Sequence, residues 1–456
     1  MKIAIIGAAG VRTPLIVQAL LAHQEGLGLS ELTLMDIDGK HLELIGALTT
    51  PIEQPATTKL RIVGTTDSRM ALTGADFVIT TFRVGGIESR VIDERVPLNH
   101  GVLGQETTGP GGFAMGIRSI PVLLDYVKLM EEVCPNAWLI NFANPAGMLT
   151  EAVIRHTGWQ RVVGICDAPT SMHLVISSVL GAKPDEVYLD YFGLNHLGWI
   201  KRIIYQSRDY LPDMLELAKS SGSVPGLPFD SGLTTSLGLI PNEYLYYYYY
   251  NTQAVKNILH ASESRGEQVA RLNLQLFAEL REKYNHQDFE GMQATYQSYL
   301  KVRGGTYMVN ETGKSHELST LDPKIVDTIS DEGYAGVALN LIEALVGNNP
   351  IVQIMNVPNQ GAISGMEDFD VVEIPALVSH DHIQPLVIGE IPTHCMGLIK
   401  QVKQFECLTI DAAVERSFQK ARLALTIHPL VRDYSIAGSI LEEYSNKHLR
   451  YFPKLQ

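Results

Sequence analysis

The chain has 456 residues, enough for one large two-lobed enzyme or for two to three domains. Apolar residues make up 45% and charged residues 19%, which is typical of a folded protein. The formal net charge of −14 disfavours nucleic acid and anionic membranes as partners, although a local group of arginines would still bind an anionic small molecule.

The cysteines and the first residues indicate the compartment. The four cysteines lie far apart and show no CxxC spacing, which fits a reducing compartment better than a disulfide framework. The sequence opens on an apolar strand pattern without the features of a secretory leader, and no stretch reaches the roughly 18 uncharged apolar residues that a membrane span requires. We therefore expect a soluble, cytoplasmic protein.

The first part of the chain alternates short apolar runs with helical patterns. The predicted strands are residues 2–6, 32–36, 60–63, 76–81, 137–141 and 161–166. The predicted helices are residues 14–23, 40–49, 116–133 and 145–156. This alternation is typical of a parallel sheet with helices on both faces.

The second part of the chain has a different pattern. Residues 188–204 alternate like antiparallel strands, and residues 205–240 are rich in Ser, Gly and Pro, which predicts a loop or mobile segment near the active site. Further helices are predicted at 243–259, 263–284, 328–347 and over most of 409–448, and strands at 350–356 and 370–378. The helix at 328–347 could serve an interface or lie in the core.

The predicted fold class is α/β. We expect a Rossmann-type parallel sheet in residues 1–187 and a C-terminal α+β domain in residues 188–456, which would carry metal, base and substrate residues.

A candidate dinucleotide site lies between the first strand and the first helix, in the sequence Gly7-Ala8-Ala9-Gly10-Val11-Arg12. Glycines there let the backbone approach a pyrophosphate at the helix N-terminus. The full GxGxxG is absent, since only Gly7 and Gly10 are present, but Asp36 ends the second strand, where an acid accepts both ribose hydroxyls and repels a 2′-phosphate. The pattern favours NAD over NADP; the alternative is a tight turn followed by a surface aspartate. The predicted cofactor-binding residues are Gly7, Gly10, Val11, Arg12, Asp36 and Arg83.

Polar segments follow the predicted strands. They are residues 83–90, 104–107, 141–145 and 164–167, with a fifth segment at 193–199. Ligands of open parallel sheets bind beyond the carboxyl ends of the strands, so these segments should converge on one crevice. Taken alone, each segment could have a purely structural role, because a cysteine after a buried strand usually packs in the core and a lone histidine is usually structural.

Together these segments resemble glycoside hydrolase family 4, and within it the 6-phospho-β-glucosidases. The resemblance runs from residue 1 to about residue 425. The matching motifs include residues 83–90, DERVPL at 93–98, HGVLGQETTGPGG at 100–112, NFANPA at 141–146, CD at 166–167, GLNH at 193–196 and NVPNQG at 356–361.

The resemblance implies a lactate/malate dehydrogenase-like fold and a reaction that uses NAD and a divalent metal, usually Mn²⁺. In that reaction NAD⁺ takes a hydride from C3 of the sugar, a base removes the C2 proton, the aglycone leaves from C1, water adds and the hydride returns. Cys166 and His196 match the metal ligands of the family.

The resemblance also implies the acid and base. Tyr244 would be the C2 base, with Tyr246 and Tyr247 as alternatives in the same tyrosine run. Glu106 matches the residue that raises the basicity of this tyrosine, and Asp167 matches the general acid for the departing oxygen.

Arg90, Asn144 and Arg265 match substrate-binding positions, and two arginines can bind a 6-phosphate. The expected reaction is hydrolysis of 6-phospho-β-glucosides to glucose 6-phosphate and aglycone. Asp167 is typical of the α-type members, so a 6-phospho-α-glucosidase, or a family member that acts on unphosphorylated glycosides, is the alternative. A second departure is Val11-Arg12, which replaces a Ser-rich stretch.

Two other classes of function are open. A 2-hydroxy-acid dehydrogenase dependent on NAD would share the fold but gives no role to Cys166 beside Asp167. A non-catalytic NAD/sugar-phosphate sensor would tolerate a lost ligand or base, yet every expected position is filled. Family members are commonly dimers or tetramers, so we expect a homodimer or homotetramer whose partner is a small phosphorylated glycoside, without nucleic acid or membrane partners.

Overall fold

The strands of the computed structural model form two sheets. The structure describes residues 1–49, 60–313 and 323–456, with the backbone alone for residues 323–334. The strands are β1 Lys2–Ile6, β2 Glu31–Met35, β3 Arg61–Thr65, β4 Phe77–Thr80, β5 Trp138–Asn141, β6 Val162–Gly164, β7 Val187–Leu194, β8 Leu197–Tyr205, β9 Arg208–Asp209, β10 Ile240–Pro241, β11 Ile351–Pro358, β12 Val371–Ser379 and β13 His382–Pro385.

Helices connect and cover these strands. They are α1 Thr13–Ala22, α2 Gln24–Leu27, α3 Gly39–Thr49, α4 Ser68–Leu72, α5 Gly86–Asn99, α6 Pro110–Val133, α7 Ala146–His156, α8 Asp167–Val179, α9 Leu211–Ser221, α10 Ser231–Leu237, α11 Tyr246–Tyr249, α12 Asn251–His260, α13 Arg265–Asn285, α14 Phe289–Gly305, α15 Val309–Thr312, α16 Pro323–Val346, α17 Thr393–Glu415, α18 Phe418–Ile427 and α19 Tyr434–His448.

The parallel part of the larger sheet has the spatial order β3-β2-β1-β4-β5-β6. Its central strands are rich in Ile, Val and Leu and are buried along nearly their whole length, as expected for strands with helices on both faces. The strand order reverses between β1 and β4, where the carboxyl ends open a crevice for ligands. The predicted Rossmann-type α/β fold is confirmed.

The second part of the chain extends the same sheet. β11 pairs with β6 in the antiparallel sense, with Asn356 opposite Gly164, and β12 and β13 follow outward. The sheet therefore runs across the division predicted at residue 187, and the two-domain division itself stays a prediction.

A smaller antiparallel sheet positions the segment 193–199. β7 and β8 form a hairpin closed by Leu194 opposite Leu197, and β10 pairs with the start of β8. His196 lies in the hairpin turn with a φ of 61°. The antiparallel strands predicted at 188–204 are present, and their turn directs His196 towards the end of β6.

Several predicted boundaries were wrong. Residues 205–240 contain α9 and α10, because Asp230 caps α10 and the glycines Gly222 and Gly238 end the two helices in the left-handed conformation. The Ser, Gly and Pro content therefore marks helix ends. The helix predicted to start at 116 starts at Pro110, a residue that suits a first turn.

Other differences concern helices of the second part. The predicted helix 243–259 is divided into a 3₁₀ turn at Glu243–Leu245, α11 and α12. The helix α14 and residues 393–408 of α17 were not predicted. α16 packs on α1 and α8, and its described residues Val337, Leu341 and Ile342 are buried, which favours the core position over an interface. Among the residues that the structure describes, no helix combines the length and the apolar character that a membrane crossing requires.

Candidate active site

A cavity of about 2280 Å³ lies at the carboxyl ends of the parallel strands. Of the site residues predicted from sequence, thirteen line it: Gly7, Gly10, Val11, Arg12, Asp36, Arg83, Arg90, Glu106, Asn144, Asp167, His196, Tyr244 and Arg265. The fourteenth, Cys166, lies directly behind the wall, with its Sγ 3.4 Å from Nε2 of His196. The fold thus brings segments from both parts of the chain to one place.

The glycine loop after β1 has the conformation that a pyrophosphate site needs. Gly7 has a φ of 93°, and a Cβ added there would lie 2.4 Å from the backbone nitrogen of Phe82. No other residue fits this position without displacing the backbone that follows β4. Gly10, Val11 and Arg12, which lead into the N-terminus of helix α1, line the cavity, so a pyrophosphate bound at this loop would lie at the positive end of the helix dipole.

Asp36 and Val11 complete this loop. One oxygen of the Asp36 carboxylate accepts from the backbone N–H of Ala9 at 3.0 Å, and the other accepts from that of Asp38 at 3.0 Å. Asp36 therefore stands at the edge of the glycine loop, where a ribose would lie. Val11 is buried, and its carbonyl accepts from the Tyr296 hydroxyl of α14 at 2.7 Å, which explains an apolar residue in this loop.

Arg12 connects the loop to the end of β6. Its Nη1 lies 3.3 Å from Oδ2 of Asp167, the first residue of α8. The Asp167 side chain is about one-third exposed, at 34%. The predicted cofactor loop and the predicted general acid are therefore in direct contact.

The Cys166 and His196 side chains have the properties of a metal-ligand pair. Burial lowers the pKa of His196 to about 4, so the imidazole is neutral. The Thr107 hydroxyl can donate to Oε1 of Gln105 at 3.1 Å, so its oxygen accepts from Nδ1 of His196 at 2.8 Å. This arrangement leaves the Nε2 lone pair directed towards Cys166, as in metal-binding histidines.

A buried carboxylate lies behind Cys166. Glu373 accepts from Tyr191 Oη at 2.9 Å, Asn195 Nδ2 at 3.0 Å and Asn356 Nδ2 at 3.1 Å. Burial raises the pKa of Glu373 to about 7, and burial with the Glu373 and Asp167 charges raises the pKa of Cys166. A thiolate here needs a cation, which fits a metal site. Sequence reasoning missed Glu373, although a lone acid in the apolar strand VVEIPALV was a signal.

Tyr244 packs face to face on His196, with ring centroids 3.7 Å apart and an interplanar angle of 12°. Its backbone N–H is fixed by Oδ1 of Asn242 at 3.0 Å, which caps the 3₁₀ turn. Burial raises the pKa of Tyr244 well above 10. None of the tyrosines at 246–250, all of which are described, lines the cavity; Tyr246 instead stacks on Tyr250 with centroids 5.0 Å apart.

Two more cavity residues adjoin Tyr244 and were missed by sequence reasoning. Tyr307 donates its hydroxyl hydrogen to Oε1 of Glu243 at 3.2 Å, and both residues line the cavity. Burial raises the pKa of Glu243 to about 7. Glu243 could have been suspected as the neighbour of Tyr244, but Tyr307 comes from a distant segment without a motif.

An arginine cluster, formed by Arg83, Arg90, Arg265 and Arg303, lines another wall. Glu106 Oε2 lies 2.5 Å from Arg83 Nη2 and 2.8 Å from Arg90 Nη1. Burial alone would raise the pKa of Glu106, but Arg90, Arg83 and Arg303 lower it to about 2. The contacts of Glu106 with Arg83 and Arg90 make this carboxylate part of the arginine cluster, and its predicted influence on Tyr244 stays a prediction.

The cluster carries more positive charge than its carboxylates neutralise. Arg265 donates to Oγ1 of Thr306 and to the carbonyl of Arg303, both at 2.7 Å. Burial and the like charges of Arg90 and Arg303 lower the pKa of Arg265. Such crowding of guanidinium groups at a cavity fits a bound anion. Arg303 has no sequence signal, because it reaches the site only through the packing of α14 on α13.

Comparisons with known proteins agree with this geometry. Residues 2–182 match the family model described as Family 4 glycosyl hydrolase, and residues 191–431 match the Family 4 glycosyl hydrolase C-terminal domain. The chain is 33% identical over 465 residues to a probable 6-phospho-beta-glucosidase of Bacillus subtilis, covering 100% of this chain and 98% of the relative.

Two further relatives are similar over their whole length. A phospho-alpha-glucosidase, PagL, of Clostridium acetobutylicum is 29% identical, covering 100% of this chain and 99% of its own. The solved structure of the 6-phospho-beta glucosidase from Thermotoga maritima with manganese, NAD+ and glucose-6-phosphate superposes with a TM-score of 0.81 at 28% identity, covering 100% of both chains.

Proposed function

This chain belongs to the family 4 glycosyl hydrolases, and we propose that it hydrolyses 6-phospho-β-glucosides to glucose 6-phosphate and the aglycone. One observation carries the proposal: the same cavity is lined by the arginine cluster, by the glycine loop and by His196, whose Nε2 lies 3.4 Å from Cys166 Sγ. The name of the Bacillus subtilis relative and the ligands of the Thermotoga maritima structure support the same substrate.

The residues present fit both NAD⁺ and Mn²⁺. The glycine loop with Asp36 would hold the dinucleotide, and Cys166 with His196 would hold the metal. When bound, NAD⁺ accepts and returns a hydride at C3 of the sugar, and Mn²⁺ supplies positive charge that polarises the sugar oxygens and favours the Tyr244 phenolate.

Tyr244 is the proposed base. Its phenolic oxygen would take the proton from C2. The hydrogen-bonded side chains of Tyr307 and Glu243 lie beside Tyr244 in the cavity. Asp167 would protonate the glycosidic oxygen at C1 as the aglycone leaves, and its contact with Arg12 orients the carboxyl group. Glu106 holds Arg83 and Arg90 in place and is proposed to raise the basicity of Tyr244.

The arginine cluster is the proposed phosphate site. Arg90 is fixed from behind, because its Nε donates to Oε1 of Glu94 at 2.9 Å, and the other Glu94 oxygen accepts from the backbone N–H of Gly266 at 2.6 Å. Arg90 and Arg265 would bind the 6-phosphate, and Asn144, in the loop after β5, would bind the sugar. A preorganised guanidinium pair binds phosphate strongly because little side-chain entropy is lost on binding.

The α anomer is the second candidate. Asp167 follows Cys166 as in α-type members, and PagL is 29% identical over the whole chain. Removal of the C2 proton leaves a planar C1–C2 unit, so the same residues would serve either anomer. The expected homodimer or homotetramer and the cytoplasmic location belong to this proposal and can be checked by light scattering and by cell fractionation.

Hydrolysis of four p-nitrophenyl glucosides tests the proposal. The α and β anomers, each with and without a 6-phosphate, are assayed with Mn²⁺, NAD⁺ and a reductant. We expect cleavage of the phosphorylated β substrate only when both cofactors are present, without net formation of NADH. Cleavage of only an α or an unphosphorylated substrate would overturn the substrate assignment, and net NADH formation would point to a dehydrogenase.

A further inference from the structure

Residues 449–453, here named the C-terminal strap, lie outside both family models, the second of which ends at residue 431. Residues 450–453 nevertheless line the cavity, together with Gly85 and Glu88. We propose that the strap forms a wall of the site for the adenosine half of NAD⁺ and that Tyr451 contacts the adenosine. This inference rests on the cofactor part of the proposed function.

The position of the strap along the cleft follows from its neighbours. The adenosine of a dinucleotide lies on the β2 side of the glycine loop, and the sugar site lies at the opposite end, near His196. The Tyr126 hydroxyl of α6 is 3.9 Å from the sulfur of Met35, at the end of β2. The cavity-lining residues Pro121 and Tyr126 of the same helix therefore border the adenosine end, and Arg118, about one turn before Pro121, contacts His448, the residue that precedes the strap, at 3.0 Å.

A buried ion-pair group anchors the start of the strap. Arg118 donates from Nη1 and Nη2 to the two Asp93 oxygens at 2.6 and 2.8 Å, and Nε2 of His448 lies 3.0 Å from Oδ1 of Asp93. All three side chains have no exposed surface. Arg118 also donates to the carbonyl of Val84 at 3.3 Å, so the end of α19 is tied to the loop after β4.

Both ends of the strap are fixed. Leu449 has a φ of 51°, which turns the chain sharply after α19, and the Phe452 ring is buried and stacks on His448 with centroids 5.9 Å apart. Beyond the strap, the Gln456 N–H donates to the carbonyl of Arg416 at 2.7 Å. The segment is therefore held across the cleft by its own packing.

Tyr451 is the part of the strap that faces a ligand. Its ring lies against the loop after β4, where a Cβ on Gly85 would be 3.3 Å from Cδ2 of Tyr451. The side chain is 38% exposed, and the Arg450 guanidinium lies 4.9 Å from the ring centroid and donates to the hydroxyl at 2.8 Å. A rigid aromatic ring with an arginine beside it suits a purine nucleoside, because purines stack on both groups.

Titration of the full-length chain with NAD⁺ and with ADP-ribose, followed by isothermal calorimetry without metal or sugar, tests the inference. For Tyr451→Ala we expect the Kd of both ligands to rise about tenfold, since a base–aromatic contact has this magnitude. Tyr451→Phe should bind like the wild type. The Kd of glucose 6-phosphate, measured with Mn²⁺ and saturating NAD⁺, should not change in either variant.

The matched control is Tyr434→Ala, at the other end of α19. Tyr434 is also exposed and has the Arg422 guanidinium 3.6 Å from its ring centroid, but it does not line the cavity. Unchanged NAD⁺ affinity in Tyr451→Ala, or an equal loss in Tyr434→Ala, would overturn the inference. If the wild type binds no NAD⁺, both the proposed function and this inference are refuted. If it binds NAD⁺ but cleaves no phosphoglucoside, the proposed function is refuted, and the Kd values of the Tyr451 variants still test the role of the strap.

Discussion

Two groups of largely buried charged residues differ in their access to the cavity, because one of them lines it and the other does not. The arginine cluster holds four guanidinium groups against the three carboxyl groups of Glu94, Glu106 and Glu311. The other group, here named the lysine network, consists of Glu151, Arg155, Asp370, Lys403 and Glu406.

The lysine network satisfies its own charges. Lys403 Nζ lies 2.5 Å from Glu151, 2.6 Å from Glu406 and 2.8 Å from the carbonyl of Val371. Burial raises the pKa of Glu406, and the three acids of the network share the two cations Lys403 and Arg155, so each acid has a charged partner. The arginine cluster has the reverse imbalance, because its extra guanidinium groups cannot lose their protons and need an anion from outside.

Ligand type alone would select the wrong group as a metal site. The ligand atoms of Glu151, Asp370 and Cys407 lie within 4.8 Å of one another, and they offer three ligands where Cys166 and His196 offer two. However, Lys403 and Arg155 already bind these carboxylates, so a cation would have to displace two others. The comparison shows that a binding site is distinguished by unmatched charge and by access to the cavity. Burial and residue type alone do not identify it.

Breaking the lysine network should have the largest effect. Lys403→Met leaves Glu151 and Glu406 buried without their cation, so we expect the free energy of unfolding to fall by about 3–5 kcal/mol in urea denaturation. The KM of the folded enzyme should not change, because the network does not line the cavity. Lys400→Met, at an exposed position of the same helix, is the control and should lose less than about 0.5 kcal/mol. If Lys403→Met is as stable as the wild type, Glu151 and Glu406 do not depend on the positive charge of Lys403.

Breaking the arginine cluster should instead affect binding. Arg90→Ala removes a charged partner of the proposed phosphate, and we expect kcat/KM for a 6-phosphoglucoside to fall about 100-fold. Arg95→Ala removes an arginine from the same helix whose partner, Glu267, is outside the cavity, and it should stay within about twofold of the wild type. Equal losses in the two variants would contradict a phosphate role for Arg90.

The pH dependence of stability sharpens the comparison. The arginines lower the pKa of Glu106 from 4.5 to about 2, so its contribution to stability is present above pH 4.5 and is lost as the pH falls towards 2. Between about pH 6 and 3.5 the wild type should lose about 1 kcal/mol more than Glu106→Gln. Glu131→Gln, an exposed acid of α6, should follow the wild type. Parallel curves for the wild type and Glu106→Gln would mean that the arginines do not hold this carboxylate.

The sequence predicted the parts of the fold and of the site whose residues lie close together in the chain. Gly7, Gly10 and Asp36 lie within one βαβ unit, so their pattern indicates both the fold and the cofactor class. Arg303, Tyr307 and Glu373 were not predicted, because each reaches the site through contacts between segments far apart in the chain. The helices in residues 205–240 were missed for a different reason. Both are short, and each ends at a glycine, so the apolar spacing does not extend far enough to indicate a helix.

Deuterium incorporation at C2 of the product tests the proposed reaction most directly. With a 6-phospho-β-glucoside, NAD⁺ and Mn²⁺ in D₂O, the glucose 6-phosphate formed by the wild type should carry deuterium at C2. Tyr244→Phe should lower the rate of incorporation on the order of 1,000-fold, whereas Tyr246→Phe should not, because Tyr246 stacks on Tyr250 away from the cavity. Product without deuterium at C2 in the wild type, or unchanged incorporation in Tyr244→Phe, would contradict proton transfer at this tyrosine.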